Sequence, residues 1–418
     1  MGTAEGGRVE LDCVKDPETH GRRACNASLL PVFDLTKPQT PVALIVTPRY
    51  LPLLGGMERE CALLAAEFAR LGWEPVVITE QLGMTLPRSE QAGPVRIHRI
   101  PSSPERTLPV QVKVAARMAL LLLRYRRRAA FAIVRTATLP SVLVGLLKIL
   151  RLVPFPTLVT AETGGVGDDV VALARRPLFP VSRALLSAHN CLNGICQTNV
   201  DHLREYGFPK ARITMIPNGI DITPWQTATA PERVERFLFL GRLDAEKGLF
   251  EALDAFCEVN ARHPRVSLTI AGEGPALQSL RARCAELGLG EEVDFTGRVP
   301  HEELGELFAR HDCLLLPSYS EGMPLSVLEA AAHRRVMVVT DVGDISRLFG
   351  ERIHICPPRD TAALTVAMEA AISDPNPSAD YQKVIDGIDI RSVASRMLDR
   401  LGVESLSRAP MAERPSRA

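Results

Sequence analysis

The stretch VALIVTPRYLPLLGGMERECALLAAEFARLGWEPVVITE, residues 42–80, combines three elements of regular structure in one run. VALIVTP is continuously apolar and rich in β-branched residues, which is typical of a strand buried on both faces of a parallel sheet. GMERECALLAAEFARLG then places apolar residues at helical spacing and ends at Gly72, after which EPVVITE repeats the strand pattern. This order of strand, helix and strand predicts a βαβ unit, the repeating unit of a doubly wound α/β fold.

The same alternation continues along the chain. Further apolar runs separated by helical segments are VRIHRI, FAIVRTA, PTLVTAE and NGICQTN in the first half, and RFLFLGR, VSLTIAGEG, VDFTGRV, CLLLPSY, VMVVTDV and IHICPP in the second. Between the halves, IPNGIDITPWQTATAPERVE is crowded with Pro, Gly, Asn and Thr, which indicates a linker. We therefore predict an α/β fold of two doubly wound, Rossmann-like domains of similar size that face each other across a cleft.

The composition shifts also predict where these parts begin and end. The expected parts are a poorly ordered N-terminal extension (1–40), a first Rossmann-like domain (41–215), a linker (216–235), a second Rossmann-like domain (236–380), a C-terminal helix that packs back on the first domain (381–402) and a disordered tail (403–418).

Bulk composition excludes several functional classes. The 418 residues carry 49 basic and 49 acidic side chains, so the formal net charge is zero. No basic stripe with interleaved aromatic residues occurs, and we expect no nucleic-acid partner. The chain has no apolar run of transmembrane length, and its first 40 residues lack the pattern of a secretory signal.

The nine cysteines are scattered and odd in number, which favours reduced, buried thiols in a cytoplasmic protein over a disulfide framework. Cys191 and Cys196 lack the C-x2-C spacing and a second pair of ligands, so no zinc site is expected.

The loops that follow strands in the second half carry the most informative polar residues, because open parallel sheets bind ligands beyond the carboxyl ends of their strands. In SYSEGMPLSVLEAA (318–331), Glu321 precedes a helix expected to begin at Pro324, and Glu329 lies two turns along it. The helix N-terminus favours an anion, and carboxylates accept hydrogen bonds from sugar hydroxyls. Together these groups suggest one ligand that has hydroxyls at both ends and phosphate between them. Taken alone, Glu321 is equally well explained as a solvated acid near a helix N-terminus. Taken alone, Glu329 is better explained as a residue on the surface of a helix.

The loop GRLDAEKGL (241–249) supplies positive charge. Arg242 directly follows a strand, and Lys247 lies five residues later, just before a helix. A guanidinium and an ammonium group at one strand end can clamp a diphosphate. The simpler explanation of a single lysine in a loop is a charge that is exposed to solvent. This explanation becomes less favourable than a diphosphate site only if Arg242 and Lys247 lie at the same edge of the sheet as Glu321.

The first half offers one weaker feature, the pair Gly55–Gly56 between the first strand and its helix. Backbone without a side chain can approach a phosphate closely at such a position. A simple tight turn explains the pair equally well.

Six motifs occur in a fixed order, namely GGMERECALLAAEFARLGWEPVVIT, MIPNGID, FLGRLDAEKGL, IAGEGP, FTGRV and PSYSEGMPLSVLEAAA. Together they resemble the retaining glycosyltransferases of family 4, the large group 1 class, whose two Rossmann domains form the GT-B architecture. The resemblance covers residues 42–372, and the E-x7-E element combined with the Arg/Lys motif makes it specific.

The resemblance implies a nucleoside-diphosphate sugar as donor, held mostly by the second domain, and an unknown acceptor on the side of the first. Arg242 and Lys247 would hold the diphosphate and, with Glu321 at the donor sugar, form the catalytic set. Glu329 would contact the ribose hydroxyls. The other residues implied at the donor are Gly55, Gly56, Gly272, Gly322, Met323, Pro324, Leu325, and Arg298 and Val299, whose backbone would meet the base.

Transfer in this class retains the anomeric configuration and needs neither a metal nor a cofactor. The acceptor hydroxyl attacks from the face that the diphosphate leaves, and the departing diphosphate acts as the base, so stabilisation of that leaving group is the main catalytic contribution. The absence of a convincing D-x-D motif agrees with a metal-independent reaction.

One departure concerns the first domain. Family members often carry a histidine near the donor sugar after the mid-sheet strand, whereas this chain has Glu162 and Thr163 in PTLVTAETGG. Either Glu162 or the Gly-rich loop replaces the histidine, or the activity is impaired.

Three other functions stay open at this point. A sugar-nucleotide epimerase of the same architecture needs acid and base groups facing the sugar, and the strand-end loops show no evident set of histidines. A catalytically silent sugar-nucleotide-binding protein would explain the absent histidine. A dinucleotide oxidoreductase is the weakest of the three, because GEGPAL lacks the third glycine of its motif.

The segment VQVKVAARMALLLLRYRRRAA, residues 110–130, predicts an apolar helix with arginines at its end. A domain helix with a solvated basic end is the simpler interpretation. The alternative is a peripheral contact with an anionic membrane at its cytoplasmic face, with the apolar side in the interface and the arginines on lipid head groups.

Overall fold

The computed structural model describes residues 40–53, 55–82, 85–103, 105, 107–162, 168–223, 229–374 and 381–404. These residues form two sheets with helices packed against them. The prediction of two parallel-sheet α/β domains is confirmed.

The first sheet has eight strands, which are β1 (Val42–Thr47), β2 (Glu74–Leu82), β3 (Ser89–Ala92), β4 (Val95–Ser102), β5 (Ala129–Arg135), β6 (Thr157–Ala161), β7 (Cys191–Gly194) and β8 (Ile213–Met215). Their order across the sheet is β3-β4-β2-β1-β5-β6-β7-β8. All neighbours pair in parallel except β3, which runs antiparallel to β4 at the edge. The direction of strand addition therefore reverses between β1 and β5.

Six helices cover the first sheet, which are α1 (Gly56–Arg70), α2 (Leu108–Tyr125), α3 (Leu139–Ile149), α4 (Asp169–Ala174), α5 (Phe179–Leu186) and α6 (Gln197–Glu205). Strand β1 is buried along its whole length. Its alternate side chains face opposite sides of the sheet, so Leu44 packs in the cluster with Met118 of α2, while Ile45 packs with Leu64 of α1. Burial on both faces explains why this strand is continuously apolar.

The second sheet has six strands, which are β9 (Arg236–Leu240), β10 (Ser267–Ala271), β11 (Val293–Gly297), β12 (Cys313–Leu316), β13 (Val336–Thr340) and β14 (His354–Cys356). All its neighbouring strands pair in parallel, in the order β11-β10-β9-β12-β13-β14. The order reverses between β9 and β12, and doubly wound sheets bind their ligands at such a reversal.

Six helices follow the strands of the second sheet, which are α7 (Leu249–Arg262), α8 (Leu277–Glu286), α9 (Leu304–Ala309), α10 (Leu325–Ala332), α11 (Ile345–Phe349) and α12 (Thr361–Ser373). Helix α10 is unusual because seven of its eight residues are buried, on all sides of the helix. LSVLEAAA carries only two polar side chains, Ser326 and Glu329, and such a helix is stable only between other elements.

The chain then forms α13 (Gln382–Ile388) and α14 (Ile390–Leu401). Asp389 caps the N-terminus of α14 through the N–H of Arg391 at 3.1 Å, and Gly402 ends the helix in a left-handed conformation. Its apolar face, which includes Val393 and Met397, packs in the same cluster as Ile45 of β1 and Leu64 of α1. The last helix thus contributes to the core of the first domain.

The structure differs from the sequence prediction in the first domain. The prediction lacked β3 and β8, and it placed the strand NGICQTN two residues after the start of β7 at Cys191. β3 was missed because SEQA is polar and exposed along its length, so it carries no hydrophobic pattern.

Several predictions fall partly or wholly outside the described residues. These are the extension of residues 1–40, the linker of residues 216–235 and the tail of residues 403–418. The domain boundaries stay predictions.

Candidate active site

The reversal between β9 and β12 brings together a cation and a carboxylate that the sequence had placed 74 residues apart. Lys247 Nζ lies 2.5 Å from Glu321 Oε1, and both side chains are largely shielded from solvent. Lys247 ends a short 3-10 turn after β9, and Glu321 lies in the loop after β12. The two residues therefore share one edge of the sheet, as the interpretation of a ligand site required.

The loops after β9 and β12 are held in direct contact. Gly248 has φ 62°, and a Cβ atom there would lie 2.1 Å from the carbonyl oxygen of Pro317. The N–H of Tyr319 also donates to the carbonyl of Glu246 at 2.8 Å. Only glycine allows this approach, so the KG dipeptide fixes Lys247 beside the loop that carries Glu321.

Arg242 is the predicted site residue that stands apart from this pair. Its guanidinium lies 2.5 Å from Asp244, and its side chain is 66% exposed. The structure places it at the same strand end as Lys247 but does not bring it into contact with Glu321. Arg242 is thus available to a ligand from solvent.

Two residues that the sequence analysis missed lie beside the Glu321 loop. Arg359 stacks its guanidinium over the Tyr319 ring at 3.9 Å, and the Tyr319 hydroxyl donates to Glu251 at 2.5 Å. Arg359 has φ 64°, a strained value for a residue other than glycine, and such strain is concentrated at functional sites. The sequence PPRD gave no indication of this conformation.

The first residues of α1 and α10 lie close together. A Cβ atom on Gly56, the first residue of α1, would lie 3.4 Å from Leu325, the first residue of α10. The helix predicted to begin at Pro324 begins one residue later, with Pro324 as its N-cap. Neither helix has a side-chain cap, so the free N–H groups of each N-terminus can attract an anion nearby.

Glu329 of α10 is fully buried, so the simpler interpretation as a surface residue is wrong. The Nη2 of Arg59, on α1 in the first domain, donates to Glu329 Oε1. Burial raises the pKa of Glu329, and the charge of Arg59 and its hydrogen bond oppose that rise. The carboxylate predicted to contact ribose thus already pairs with a cation from the opposite domain.

The reversal between β1 and β5 in the first sheet holds a second buried charge cluster, which the sequence analysis also missed except for Glu162. Arg135, the last residue of β5, is fully buried and donates to both Glu60 of α1 and Glu162 after β6, the latter at 2.8 Å. Glu60 also accepts the N–H of Gly219 at 3.1 Å. Two carboxylates share one guanidinium here, and burial together with the charge of Glu60 raises the pKa of Glu162 against the opposing effect of Arg135.

Asp169, at the start of α4, lies next to this cluster and accepts the N–H of Ala137 at 2.6 Å. Burial raises its pKa to about 7. The folded protein therefore keeps a proton that an unfolded aspartate, with a pKa of about 3.9, releases. This contribution to stability is fully present below about pH 4 and is lost as the pH rises through about 7.

We expect the melting temperature of the wild type to fall more steeply, or rise less, between about pH 4 and pH 7 than that of Asp169→Asn, whose amide stays neutral while its oxygen still accepts the Ala137 N–H. Thermal unfolding at a series of pH values measures this. Asp201→Asn, at an exposed acid, serves as the control and should follow the wild type. Parallel curves for wild type and Asp169→Asn would contradict the assignment.

One polar contact joins the two domains directly, and two others tie the segment between them, at Asn218 and Gly219, to one domain each. Asp344, after β13, accepts the N–H of Gln197 at the start of α6 at 2.5 Å. The Asn218 amide donates to the carbonyl of Met323 at 3.3 Å, and Glu60 binds Gly219 as described. Met323 and Leu325 also pack with Ile195 in one apolar cluster. The Glu321 loop and α10 are therefore attached directly to the first domain.

The remaining predicted site residues lie farther along the same sheet edges or in neighbouring loops. Gly272 has φ 152° and faces the carbonyl of Gly241, so its lack of a side chain serves close backbone packing between β9 and β10. Arg298 and Val299 follow β11, at the edge of the sheet. Gly322 packs against Gly343, and Gly55 precedes α1. Thr163 lies outside the described residues.

Comparison with known proteins gives two family matches. Residues 225–385 match the family described as glycosyl transferases group 1, and residues 55–219 match the glycosyl transferase 4-like domain. Together the two matches include nearly every residue of the candidate site.

A glycogen synthase of Mycobacterium tuberculosis is 30% identical over 249 residues, which are 57% of this chain and 60% of that protein. The alignment thus spans less than two thirds of the length of that relative. Among solved structures, sucrose-phosphate synthase from Thermosynechococcus elongatus has a TM-score of 0.71 at 20% identity, over 86% of this chain and 98% of that one. Anabaena HepE, solved in complex with UDP-glucose, has a TM-score of 0.67 at 16% identity, over 87% and 99% of the two chains. Both are similar to this chain in fold.

Proposed function

We propose, from the premise that this chain belongs to the group 1 glycosyl transferases of family 4, that it moves a sugar from a nucleoside diphosphate to an acceptor hydroxyl with retention of configuration. The observation that carries the proposal is the pairing of Lys247 with Glu321 at the strand-order reversal of the second sheet. This position combines a cation for the diphosphate with a carboxylate for sugar hydroxyls.

The donor would lie with its diphosphate between the two helix N-termini. The N–H groups near Gly56 and Leu325 would solvate the phosphate oxygens, and Lys247 would add a full positive charge on one side. The exposed Arg242 would bind the same diphosphate as a fork from solvent. Glu321 would then accept hydrogen bonds from the donor sugar, and Glu329 from the ribose.

The chemical step follows from this arrangement of charges. As the bond between the anomeric carbon and the diphosphate breaks, the electron pair moves onto the leaving oxygen, where Lys247 and the helix N-termini stabilise it. The acceptor hydroxyl attacks the same face and gives its proton to the leaving diphosphate. The proposal involves no metal ion, and the donor is a substrate rather than a resident cofactor.

The experiment that tests this function is an incubation with UDP-, GDP- and ADP-sugars, with and without cell lipids, while free nucleotide and sugar products are followed. Release of nucleoside diphosphate together with a glycosylated acceptor supports the transferase. Interconversion of the sugar without release would show an epimerase, and binding without either product would show a silent binding protein.

We further propose that α2 carries the acceptor side of the protein to an anionic membrane at its cytoplasmic face. Among the described residues, ten large hydrophobic side chains are exposed, and eight lie on or at the ends of α2, α3 and α5, namely Leu108, Val112, Leu120, Leu146, Ile149, Leu150, Leu178 and Val181. Helix α3 packs against both α2 and α5, so these side chains share one side of the domain.

Basic side chains surround this apolar face. Lys113, Arg117, Arg124, Arg126 and Arg127 are exposed on or after α2, whereas Arg128 is half-buried against Glu74. Apolar side chains at the interface together with cations at head-group level are the composition that binds anionic lipid surfaces. Among the described residues, no helix is both long enough and apolar enough to cross a bilayer.

We expect the protein to bind vesicles that contain phosphatidylglycerol, with an affinity that falls as salt rises, and Leu120→Asp to weaken this binding by about tenfold. Vesicle co-sedimentation measures it. Val366→Asp places the same charge at an isolated exposed residue of α12 and should bind like the wild type. Equal, negligible binding to neutral and anionic vesicles would refute the membrane proposal.

A further inference from the structure

Arg59 and Glu329 form an ion pair between the two domains, and the proposed reaction gives Arg59 no role. Arg59 lies on the first turn of α1, three residues after Gly56, and Glu329 lies on the second turn of α10. The side chain of Glu329 is 1% exposed and that of Arg59 is 18% exposed. A buried pair is costly to form, because both ions lose their hydration, so its position beside the N-termini of α1 and α10 calls for a functional explanation.

The two oxygens of the Glu329 carboxylate differ. Oε1 accepts the hydrogen bond from Arg59, whereas Oε2 is buried without a hydrogen-bond partner among the described residues. Nearly all buried polar atoms in proteins are hydrogen-bonded, and a carboxylate oxygen is among the most expensive to leave unpaired. An ionised oxygen that the protein leaves unbonded is an acceptor for a hydroxyl of a ligand.

No other described cation is placed to hold this carboxylate. His333, four residues along α10, bonds the backbone carbonyl of Glu329 through Nδ1 at 2.9 Å and does not act on the carboxylate. Within the part of the chain that the structure describes, Arg59 is the one charged group that opposes the effect of burial on the pKa of Glu329. The ionised form and the orientation of the carboxylate therefore depend on a residue of the first domain.

We propose that Arg59 is a positioning residue for nucleotide recognition: it holds Glu329 ionised and oriented through Oε1, so that Oε2 accepts a ribose hydroxyl once the two domains have closed over the donor. The inference rests on the proposed function, since it assigns a ribose to Glu329. It adds that ribose recognition is shared between the domains, although the acceptor of the hydrogen bond belongs to the second domain alone.

The test measures the preference for ribose hydroxyls rather than activity. Dissociation constants are determined by titration calorimetry for UDP, GDP and ADP and for their 2′,3′-dideoxy forms, with wild type and with Arg59→Gln. For the nucleotide that binds best, we expect the wild type to bind the dideoxy form about tenfold more weakly, because a charge-assisted hydrogen bond is lost. Arg59→Gln should reduce this preference to about twofold or less, because an unopposed buried carboxyl takes up a proton and accepts more weakly.

Matched variants separate positioning from a general loss of structure. Arg70→Gln removes an arginine from the last turn of α1, where it pairs with Glu67, and should keep the wild-type preference. Arg59→Lys keeps a cation beside Glu329 and should retain the preference, which also allows the test if the neutral variant does not fold.

The possible results distinguish a failure of the proposed function from a failure of the role proposed for Arg59. If none of the three nucleotides binds the wild type, the proposed function and this inference both fail. If a nucleotide binds and Arg59→Gln keeps the full ribose preference, or binds the nucleotide more tightly than wild type, only the positioning role of Arg59 is overturned. Loss of the preference in a folded Arg59→Lys variant would overturn it as well.

Discussion

Replacement of Lys247 by alanine is expected to lower kcat for sugar transfer by about 100- to 1,000-fold. The ammonium group lies at the strand-order reversal where the diphosphate would leave, and its partner Glu321 and the surrounding loops shield it from water. A charge in such a site stabilises the transition state more than the bound donor, because negative charge grows on the leaving oxygen. Arg242 cannot replace it, since its side chain is mostly in solvent and pairs with Asp244.

Steady-state kinetics with the donor identified in the nucleotide-sugar panel measure this effect. Arg262→Ala is the matched control, because Arg262 is an exposed cation of the same domain that pairs with Glu369 on the surface. It should leave kcat within about twofold of wild type. A loss below about tenfold in a folded Lys247→Ala variant would place the leaving group elsewhere.

Replacement of Arg135 by methionine is expected to destabilise the first domain by about 3–5 kcal/mol. Among the described residues, Arg135 is the largest fully buried side chain, and its single positive charge is shared between Glu60 and Glu162 at the centre of the first sheet. Burial lowers the pKa of the guanidinium, but the adjacent carboxylates more than offset this, so its pKa is raised well above the ordinary value. Without it, two carboxyl groups are left in a dry interior.

The midpoint of urea unfolding, followed by circular dichroism, measures this loss. Arg128→Met removes a partly exposed arginine of the same domain, paired with Glu74, and should cost about 1 kcal/mol or less. The triple variant Arg135→Met/Glu60→Gln/Glu162→Gln should recover part of the loss, because it buries no uncompensated charge. If Arg135→Met proved as stable as Arg128→Met, the stabilising role of Arg135 in the first sheet would be contradicted.

The fold was predictable because its central strands, such as β1, β12 and β13, are buried on both faces. Runs such as VALIVTP and CLLLPS are apolar throughout, and all six strands of the second sheet lie where the pattern placed them. The edge strand β3 escaped prediction because it has no buried face. A hydrophobic pattern in the sequence indicates which residues are buried, and an exposed edge strand has no buried residues to produce such a pattern.

The sequence could predict only those residues of the candidate site that lie in a loop with a recognisable local motif. Lys247 and Glu321 could be proposed as neighbours because parallel strand ends meet at one edge of a sheet. The partners Arg59 and Arg135 could not, because their contacts depend on how separate elements pack. GGMERE shows an ordinary amphipathic helix start, and nothing in it distinguishes an arginine that faces solvent from one that reaches the opposite domain.

The packing of α14 against β1 and α1 has a consequence for biosynthesis. Ribosomes release the first domain long before residues 390–401 exist, yet Val393 and Met397 fill the same apolar cluster as Ile45. Until those residues emerge, the face of β1 that packs on α1 is only partly covered, and exposed apolar surface on a nascent chain attracts chaperones and other unfinished chains. The domain that is translated first is therefore the one that is completed last.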